Sequence, residues 1–518
     1  MKINLLYTDK DTPGSFVYPD AHIIAKDLNL QLVFEQASRD SGENGTGFAS
    51  NPGARDDFIK DAMRKIMLIP VVDEKEIVFR QNLIKDGVNN DKFFDGLYDV
   101  AVRAEKTISE HFSGTDKLSK GGISTIERIK YLRSITGYLS EIKVLLANVK
   151  NAPAIEEVFS EFNSEFTDEF VAATEEILED MEFITSGGNL VVRTDNMPGL
   201  KADRFFIEKL EVTEFKERRK PKTGTFAKVK ALTNSLINPD VKELKDETII
   251  ADAKALENAA CDYILSFYED FVKTTGITLK NMKLSSAFYL GAVRLYKRFK
   301  RFGIPLCFPE VCSRDDVCFE DLCEACLCIY QRKRPVGNSV SAECKQVFVI
   351  TGANQGGKST YLRSIGLAQV FMQAGMFVTA QSYMSGLYRN IFTHFTRRED
   401  STMNSGRLDE ELKRMAQIID RLTPDSMVLL NESFATTTEK EGSVIADELT
   451  DAILKTKVRM FSVTHLLEYA HSCYNKAYDK VLFLSAERRP DGSRSYKIKI
   501  NPPEDTSYGL DLYDAIIR

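Results

Sequence analysis

The chain has 518 residues, 43 % of them hydrophobic and 28 % charged, with a formal net charge of −7. That length and balance predict several domains with real cores and exclude wholesale disorder, collagen-like repetition and a surface uniformly basic. No apolar run approaches membrane-spanning length, the N-terminal MKINLLYTDKD is too short in its apolar part for a signal peptide, and nine cysteines form an odd count, so reduced thiols in a cytoplasmic protein are expected. Trp is absent while Phe is abundant, which the sequence does not explain.

In chain order, residues 1–60 mix short apolar runs with Gly/Asn/Ser-rich stretches such as SGENGTGFASNPG, and their fold is not legible. Residues 61–330 read as helical. Ile126, Ile129, Leu132, Ile135, Leu139, Ile142, Leu146 and Val149 recur at steps of three and four, which places them on one helical face. A second helix is expected from Pro153 through Phe159, Phe162, Phe166 and Phe170 to Gly187-Gly188, and a third brings Leu256, Ala260, Ile264, Phe267 and Phe271 to one side. Helices of this length are rods of about 35 Å, suited to a bundle or to lever arms. From about 331 the texture changes. VFVIT (347–351), MVLL (427–430), RMFSVT (459–464) and KVLFL (480–484) are buried-strand candidates separated by helical segments, which predicts an α/β domain with a largely parallel sheet over 331–518. Pro490-Asp491-Gly492-Ser493 between KVLFL and SYKIKI reads as a hairpin turn. The fold class is therefore multidomain: an all-α core or lever region followed by an α/β domain.

The chemistry is concentrated in that last domain. GANQGGKST fits G-x-x-x-x-G-K-[ST] through Gly352, Gly357, Lys358 and Ser359, between a β-rich and a helical run. Backbone N–H groups of such a loop wrap a phosphate, the lysine reaches the β/γ-phosphates, and the serine hydroxyl ligates Mg²⁺. DSMVLLNES ends a strand with Asn431-Glu432, where phosphate-loop ATPases place a Mg²⁺-binding acid and a carboxylate that orients water. Glu432 suits the second role, and Asn431 puts a neutral oxygen ligand in the first. RMFSVTH delivers His465 at the tip of the next strand, where it can sense the γ-phosphate.

The segment GANQGGKSTYLRSIGLAQVFMQAGMFVTA resembles the ATPase domain of the MutS family of DNA mismatch-repair clamps. The likeness continues through NIFTHFTRREDSTMNSGR, LLNESFATTTEKEG and FSVTHLLEYA to Thr506-Ser507-Tyr508-Gly509-Leu510, so five motifs fall in order over 347–512. IVFRQNLIKDG resembles the start of the family's helical core, and the long rods its lever helices. The resemblance implies that Asn354, Gly356, Gly357, Lys358, Ser359 and Thr360 hold nucleotide phosphates and Mg²⁺, that Glu432 is the base and that His465 is the γ-phosphate sensor. It also implies that Ser405, Gly406 and Arg407 face the nucleotide of a second subunit, and that Val336, Gly337 and Asn338 lie where the family lines its adenine pocket. A homodimer sharing two ATP sites and binding duplex or branched DNA is the implied assembly.

The pattern departs from the family at two positions. Leu408, followed by Asp409, Glu410 and Glu411, stands where a serine is expected after Gly-Arg; these acids suit a helix N-terminus through the macrodipole but sit awkwardly beside a γ-phosphate. Asn431 replaces the Walker B aspartate. Both put the rate of hydrolysis in question more than nucleotide binding, and they leave open a nucleotide-gated scaffold with residual or no hydrolysis. An ATPase of the ABC type acting on RNA or a protein partner is a further alternative. The family's mismatch wedge is a Phe-x-Glu string; Phe267-Tyr268-Glu269 fits it but lies inside a long helix and reads as helix core. The short stretch ahead of the helical region leaves little room for a mismatch reader, so direct mismatch reading is not expected.

Basic charge is nevertheless concentrated. Lys216, Arg218, Arg219, Lys220, Lys222, Lys228 and Lys230 crowd one segment, within residues 190–235, where the family places its DNA-clamp contacts. Such a cluster suits phosphate neutralisation or a solvated loop equally. VRLYKRFKRF, with Arg294, Lys297, Arg298, Lys300 and Arg301, reads as an amphipathic helix face. Seven of the nine cysteines lie between Cys307 and Cys344, but the single C-x-x-C at Cys323–Cys326 lacks a second pair at zinc-site spacing and reads as packed apolar thiols.

Overall fold

The computed structural model describes residues 3–8, 17–39, 52–117, 125–185, 189–196, 202–211, 243–244, 249–396, 406–489, 491 and 493–504. The chain divides into two compact units, one built from residues 1–4, 96–149 and 156–283, the other from 5–95, 150–155 and 284–518. No helix among the described residues is long and apolar enough to cross a membrane.

The first unit is mainly helical. Helices α5 (Asp91–Lys117), α6 (Thr125–Ala147), α7 (Pro153–Val158), α8 (Ser160–Glu165) and α9 (Asp168–Thr185) contribute to it, together with the leading part of α10 (Ile249–Arg301). At 53 residues α10 is a rod of about 80 Å. The apolar face expected on α6 is buried along its middle, from Ile129 to Ile142, whereas Ile126 is half exposed. Ile129 and Leu132 pack on Leu178 and Met181 of α9, with Phe271 against the cluster. The single helix expected from Pro153 to Gly187-Gly188 is three. Phe159 and Phe166 leave helical geometry, and the Thr167 hydroxyl accepts from Phe170 N at 3.2 Å to start α9, whose first turn carries Asp168 and Glu169. A threonine cap followed by acids is a helix start, and here it outweighs the continuous aromatic spacing. The aromatic spacing still does its packing: Phe166 lies 5.1 Å from Phe162, 5.3 Å from Phe170 and 5.7 Å from Phe271, ring centre to ring centre.

The region expected to be all-helical also contains strands. β1 (Asn189–Asn196) pairs antiparallel with β2 (Ala202–Glu211), which pairs with β3 (Glu243–Leu244). The run Leu190-Val191-Val192-Arg193-Thr194 is rich in β-branched residues, whose stiff side chains favour a pleated backbone. The basic residues Lys216, Arg218, Arg219, Lys220, Lys222, Lys228 and Lys230 fall outside the described residues. Phe267-Tyr268-Glu269 lies within α10, as its helix reading expected.

In the second unit the illegible N-terminal stretch forms α1 (Ala21–Asp27), α2 (Leu30–Ser38) and α3 (Pro52–Met67), followed by α4 (Glu74–Asn89). The basic face near the end of α10 is used within this unit: Arg294 is buried and donates to Ser38 O at 2.6 Å, and Lys297 pairs with Asp91 at 2.8 Å. A four-stranded sheet follows, ordered β4 (Glu310–Val311), β8 (Ser382–Ser385), β5 (Val317–Leu322), β6 (Asn338–Ala342). Three of its strands precede the α/β sheet in the chain and β8 follows β7 (Val347–Gly352); none of the four was expected from sequence. Of the cysteine-rich stretch, Cys318 lies in β5, Cys323 directly after it, and Cys326 and Cys328 in α11 (Ala325–Gln331); Cys323, Cys326 and Cys328 are buried. No group of three or more metal-ligating side chains is assembled among the described residues.

The main sheet has six strands in the order β13-β12-β7-β11-β10-β9. These are β7 (Val347–Gly352), β9 (Asn390–Phe395), β10 (Ser426–Asn431), β11 (Arg459–Val463), β12 (Val481–Arg488) and β13 (Arg494–Ile500). Five run parallel, and β13 returns antiparallel from β12 through the expected hairpin. The four strands expected from sequence are β7, β10, β11 and β12. Every residue of β7, β9 and β11 is buried, which explains continuous apolar runs in place of alternation. Phe348 and Phe461 stack across β7 and β11 at 4.3 Å. Helices α12 (Lys358–Gln373), α13 (Arg407–Ile419), α14 (Glu439–Leu454) and α15 (Leu467–Asn475) connect the strands.

Candidate nucleotide site

Because β11 lies between β7 and β10, the segments leaving these three strands emerge side by side at the C-terminal edge of the sheet. Open α/β sheets place ligands at that edge. β7 ends at Gly352, whose φ is +108°, and a Cβ there would lie 2.8 Å from Ala486 N of β12. Gly356 is equally confined, since its Cβ would meet Ala353 O at 2.8 Å, and Gly357 has φ +94°. Only glycine satisfies these three demands together. The loop closes on the first turn of α12, so that Ser359 and Thr360 sit at a helix N-terminus, where free N–H groups and the macrodipole favour an anion. Lys358 is buried and its ammonium donates to Gly352 O at 2.7 Å and Ala353 O at 3.0 Å. Burial pulls its pKa down to about 8, against the opposing fields of Glu432 and Glu504.

β10 delivers Asn431 and Glu432. Thr396, just past β9, bonds the carbonyls of both through its hydroxyl at 2.9 Å, and Glu432 N donates to Val463 O at 2.8 Å. Glu432 takes a left-handed backbone, φ +56°. Its carboxylate lies 3.0 Å from His465 Nε2. The hydrogen bond from His465 is the main reason its carboxyl is held below the usual range, with partial burial opposing and Lys358 assisting. The Asn431 Oδ1 atom is buried and has no hydrogen-bond partner among the described residues. A buried amide oxygen without a partner, at the end of the strand that delivers Glu432, has the chemistry of a Mg²⁺ oxygen donor, although Asn431 is not among the residues lining the cavity that Ser359 lines.

One cavity of about 620 Å³ collects these groups: Asn354, Gly356, Gly357, Lys358, Ser359, Thr360, Glu432 and His465 line it, and so do Val336 and Asn338. That size accommodates a nucleotide. Val336 is exposed at the cavity, while the Asn338 side chain is occupied with β13, accepting from Ile498 N at 2.7 Å and donating to Tyr496 O at 3.3 Å. Gly406 caps α13 and is not in the lining; Arg407 begins that helix, and Ser405 is outside the described residues. Sequence reasoning did not find Tyr496, Lys333 and Arg334, which also line the cavity, or Arg494, whose Nε donates to Asn354 O at 3.2 Å. The basic run Gln331-Arg332-Lys333-Arg334 was the available signal for two of them. Two of the acids after Gly406 have partners within the chain. Asp409 pairs with Lys413 at 2.7 Å, and buried Glu411 turns to the segment after Glu432.

Two family models match in sequence: the MutS domain V over residues 348–516 and the MutS2 N-terminal domain over residues 72–302. The chain belongs to the MutS family. It is 22 % identical over 547 residues to the DNA mismatch repair protein MutS of Thermotoga sp. (strain RQ2), covering 95 % of this chain and 65 % of that protein. The namesake of Thermotoga petrophila is 23 % identical over 503 residues, with 87 % and 58 % covered. MutS protein homolog 4 of Mus musculus is 29 % identical over 191 residues, or 35 % of this chain and 20 % of the mouse protein. The chain thus spans less than two thirds of the length of these relatives. The domain V match begins one residue inside β7 and takes in the phosphate loop, Glu432 and His465.

Proposed function

We propose that this MutS-family chain is an ATP-dependent DNA-binding protein, a dimeric clamp whose ATP binding and hydrolysis switch its grip on duplex or branched DNA in repair or recombination. The observation that carries the reading is the Glu432–His465 pair at 3.0 Å, lining one cavity with the phosphate loop. Gly352, Asn354, Gly356 and Gly357 shape the loop for phosphates, Lys358 supplies the cation, and Thr360 and Ser359 lie at the helix terminus. Ser359 and Asn431 would hold Mg²⁺, which neutralises charge on the phosphate oxygens. Glu432, ionised through its bond to His465, orients the attacking water and accepts its proton as the water oxygen bonds to the γ-phosphorus and the β–γ bridging bond breaks. His465 holds that carboxylate and meets the γ-phosphate. Val336 and Asn338 border the base, and Ser405, Gly406 and Arg407 serve the nucleotide of the second subunit. The names of the relatives support repair as the setting, and the basic segment Lys216–Lys228 supplies candidate phosphate contacts.

Equilibrium binding of duplex, branched and single-stranded DNA at two salt concentrations, with and without Mg²⁺-ATP, tests this. Salt-sensitive binding that changes with ATP is expected. DNA binding indifferent to both would overturn it. Asn431 favours a second reading, a nucleotide-gated scaffold that binds ATP with negligible turnover, and brisk Mg²⁺-dependent hydrolysis would exclude that reading.

A further inference from the structure

Glu411 is an acidic residue with no assigned part in the site, buried to 6 % exposure in the second turn of α13. Burying a carboxylate is unfavourable unless it is well bonded, and this one is. One oxygen accepts from Phe434 N at 2.6 Å and the other from the Thr436 hydroxyl at 2.5 Å. Phe434 has φ +66° and follows Glu432, at φ +56°, by two residues. Two left-handed non-glycine residues so close together are strained, and such a backbone persists only where neighbours hold it. The holding is two-sided. From β9, Thr396 bonds the carbonyls of Asn431 and Glu432, and His394 Nδ1 bonds Ser433 Oγ at 2.7 Å. From α13, Glu411 bonds the segment through both of its carboxylate oxygens.

We infer that Glu411 is the positioning residue for Glu432: it ties α13 to the loop 432–436 and fixes the angle at which the Glu432 carboxylate meets the cavity. A helix moves as a unit, and Glu411 lies five residues, about 7.5 Å of rise, beyond the helix cap Gly406. Any contact that shifts the start of α13 therefore reaches the Glu432 loop through two hydrogen bonds. The inference rests on the hydrolytic reading above and explains why an acidic run follows Gly406-Arg407: the third acid is a loop anchor.

The test compares wild type, Glu411→Ala and Glu411→Gln in the full chain. Turnover of Mg²⁺-ATP, equilibrium affinity for a fluorescent ATP analogue and amide hydrogen exchange of residues 352–360 and 432–437 are read together. Glu411→Ala should lower kcat on the order of tenfold or more while affinity stays within about twofold, because a displaced base loses alignment without touching phosphate binding. Exchange should accelerate in 432–437 and remain unchanged in 352–360. Glu411→Gln, which retains an acceptor for Phe434 N, should recover to within about threefold of wild type. Affinity and kcat falling together, or kcat unchanged in Glu411→Ala, would overturn the positioning role while leaving the hydrolytic reading intact. A wild type without turnover would overturn the hydrolytic reading, and the role of Glu411 toward Glu432 with it.

Discussion

Lys358 is buried with its ammonium on two carbonyls of its own loop, and burial brings its pKa down to about 8. Two consequences have opposite sign. For folding, a lysine with a depressed pKa carries a penalty that is full below about 8 and is relieved as pH rises toward 10.5, so its contribution to stability improves with pH in that window. For ligand binding, phosphate requires the charged form, so ATP affinity should be flat below pH 7 and fall about tenfold by pH 9. Titration calorimetry across that range checks it, and an affinity unchanged to pH 9 would contradict the assigned contact. The residues of this site were legible where chemistry demands a fixed spacing: Gly352, Gly357, Lys358 and Ser359 form one string, and Glu432 and His465 each end an apolar strand. Tyr496, which lines the cavity, and Arg494, which bonds Asn354 O, were not legible because hairpin pairing across the sheet brings them there. The bonds of Glu411 to Phe434 N and the Thr436 hydroxyl were not legible, since that segment is not connected to Glu411 by sequence spacing.

At the scale of elements, the loop after β10 is as confined as the phosphate loop. Gly442, in the first turn of α14, faces Phe434 O, and a Cβ there would lie 2.5 Å from that backbone oxygen. Gly442→Ala should therefore destabilise the protein by about 1–3 kcal/mol and depress turnover, because the backbone that must yield is the one Glu411 holds. Thermal unfolding and turnover measured on the same preparation check this, and a variant with wild-type values in both would contradict it. The strands β7, β10 and β11 were readable because near-complete burial favours apolar runs, and β12, only half of whose residues are buried, because it opens on the run VLFL. Helix ends were harder. The break at Phe166 rests on Thr167 capping Phe170 N, a local hydrogen bond that competes with, and here defeats, an unbroken aromatic period. Of the strands β4, β5, β6 and β8, the first and last have two and four residues, too few for a period to show, and all four are held by pairing partners distant in sequence.

For the whole molecule, the net charge of −7 and a DNA partner are compatible once charge is read locally, since seven cations fall within residues 216–230. Reversing Arg218, Arg219 and Lys220 to Glu should weaken DNA binding and flatten its salt dependence by roughly one unit of slope for each phosphate that is no longer neutralised. Unchanged affinity in a salt titration would remove that segment from the DNA-binding surface. The helical region and the α/β domain match two MutS-type models in chain order. The central claim, though, is the chemistry at the sheet edge, and one measurement addresses it most directly: Mg²⁺-ATP turnover by wild type and by Glu432→Gln, with ATP affinity measured in parallel. The account predicts measurable turnover in wild type, a reduction of about 100-fold or more in the variant, and affinity retained in both. Equal turnover in wild type and variant would contradict it.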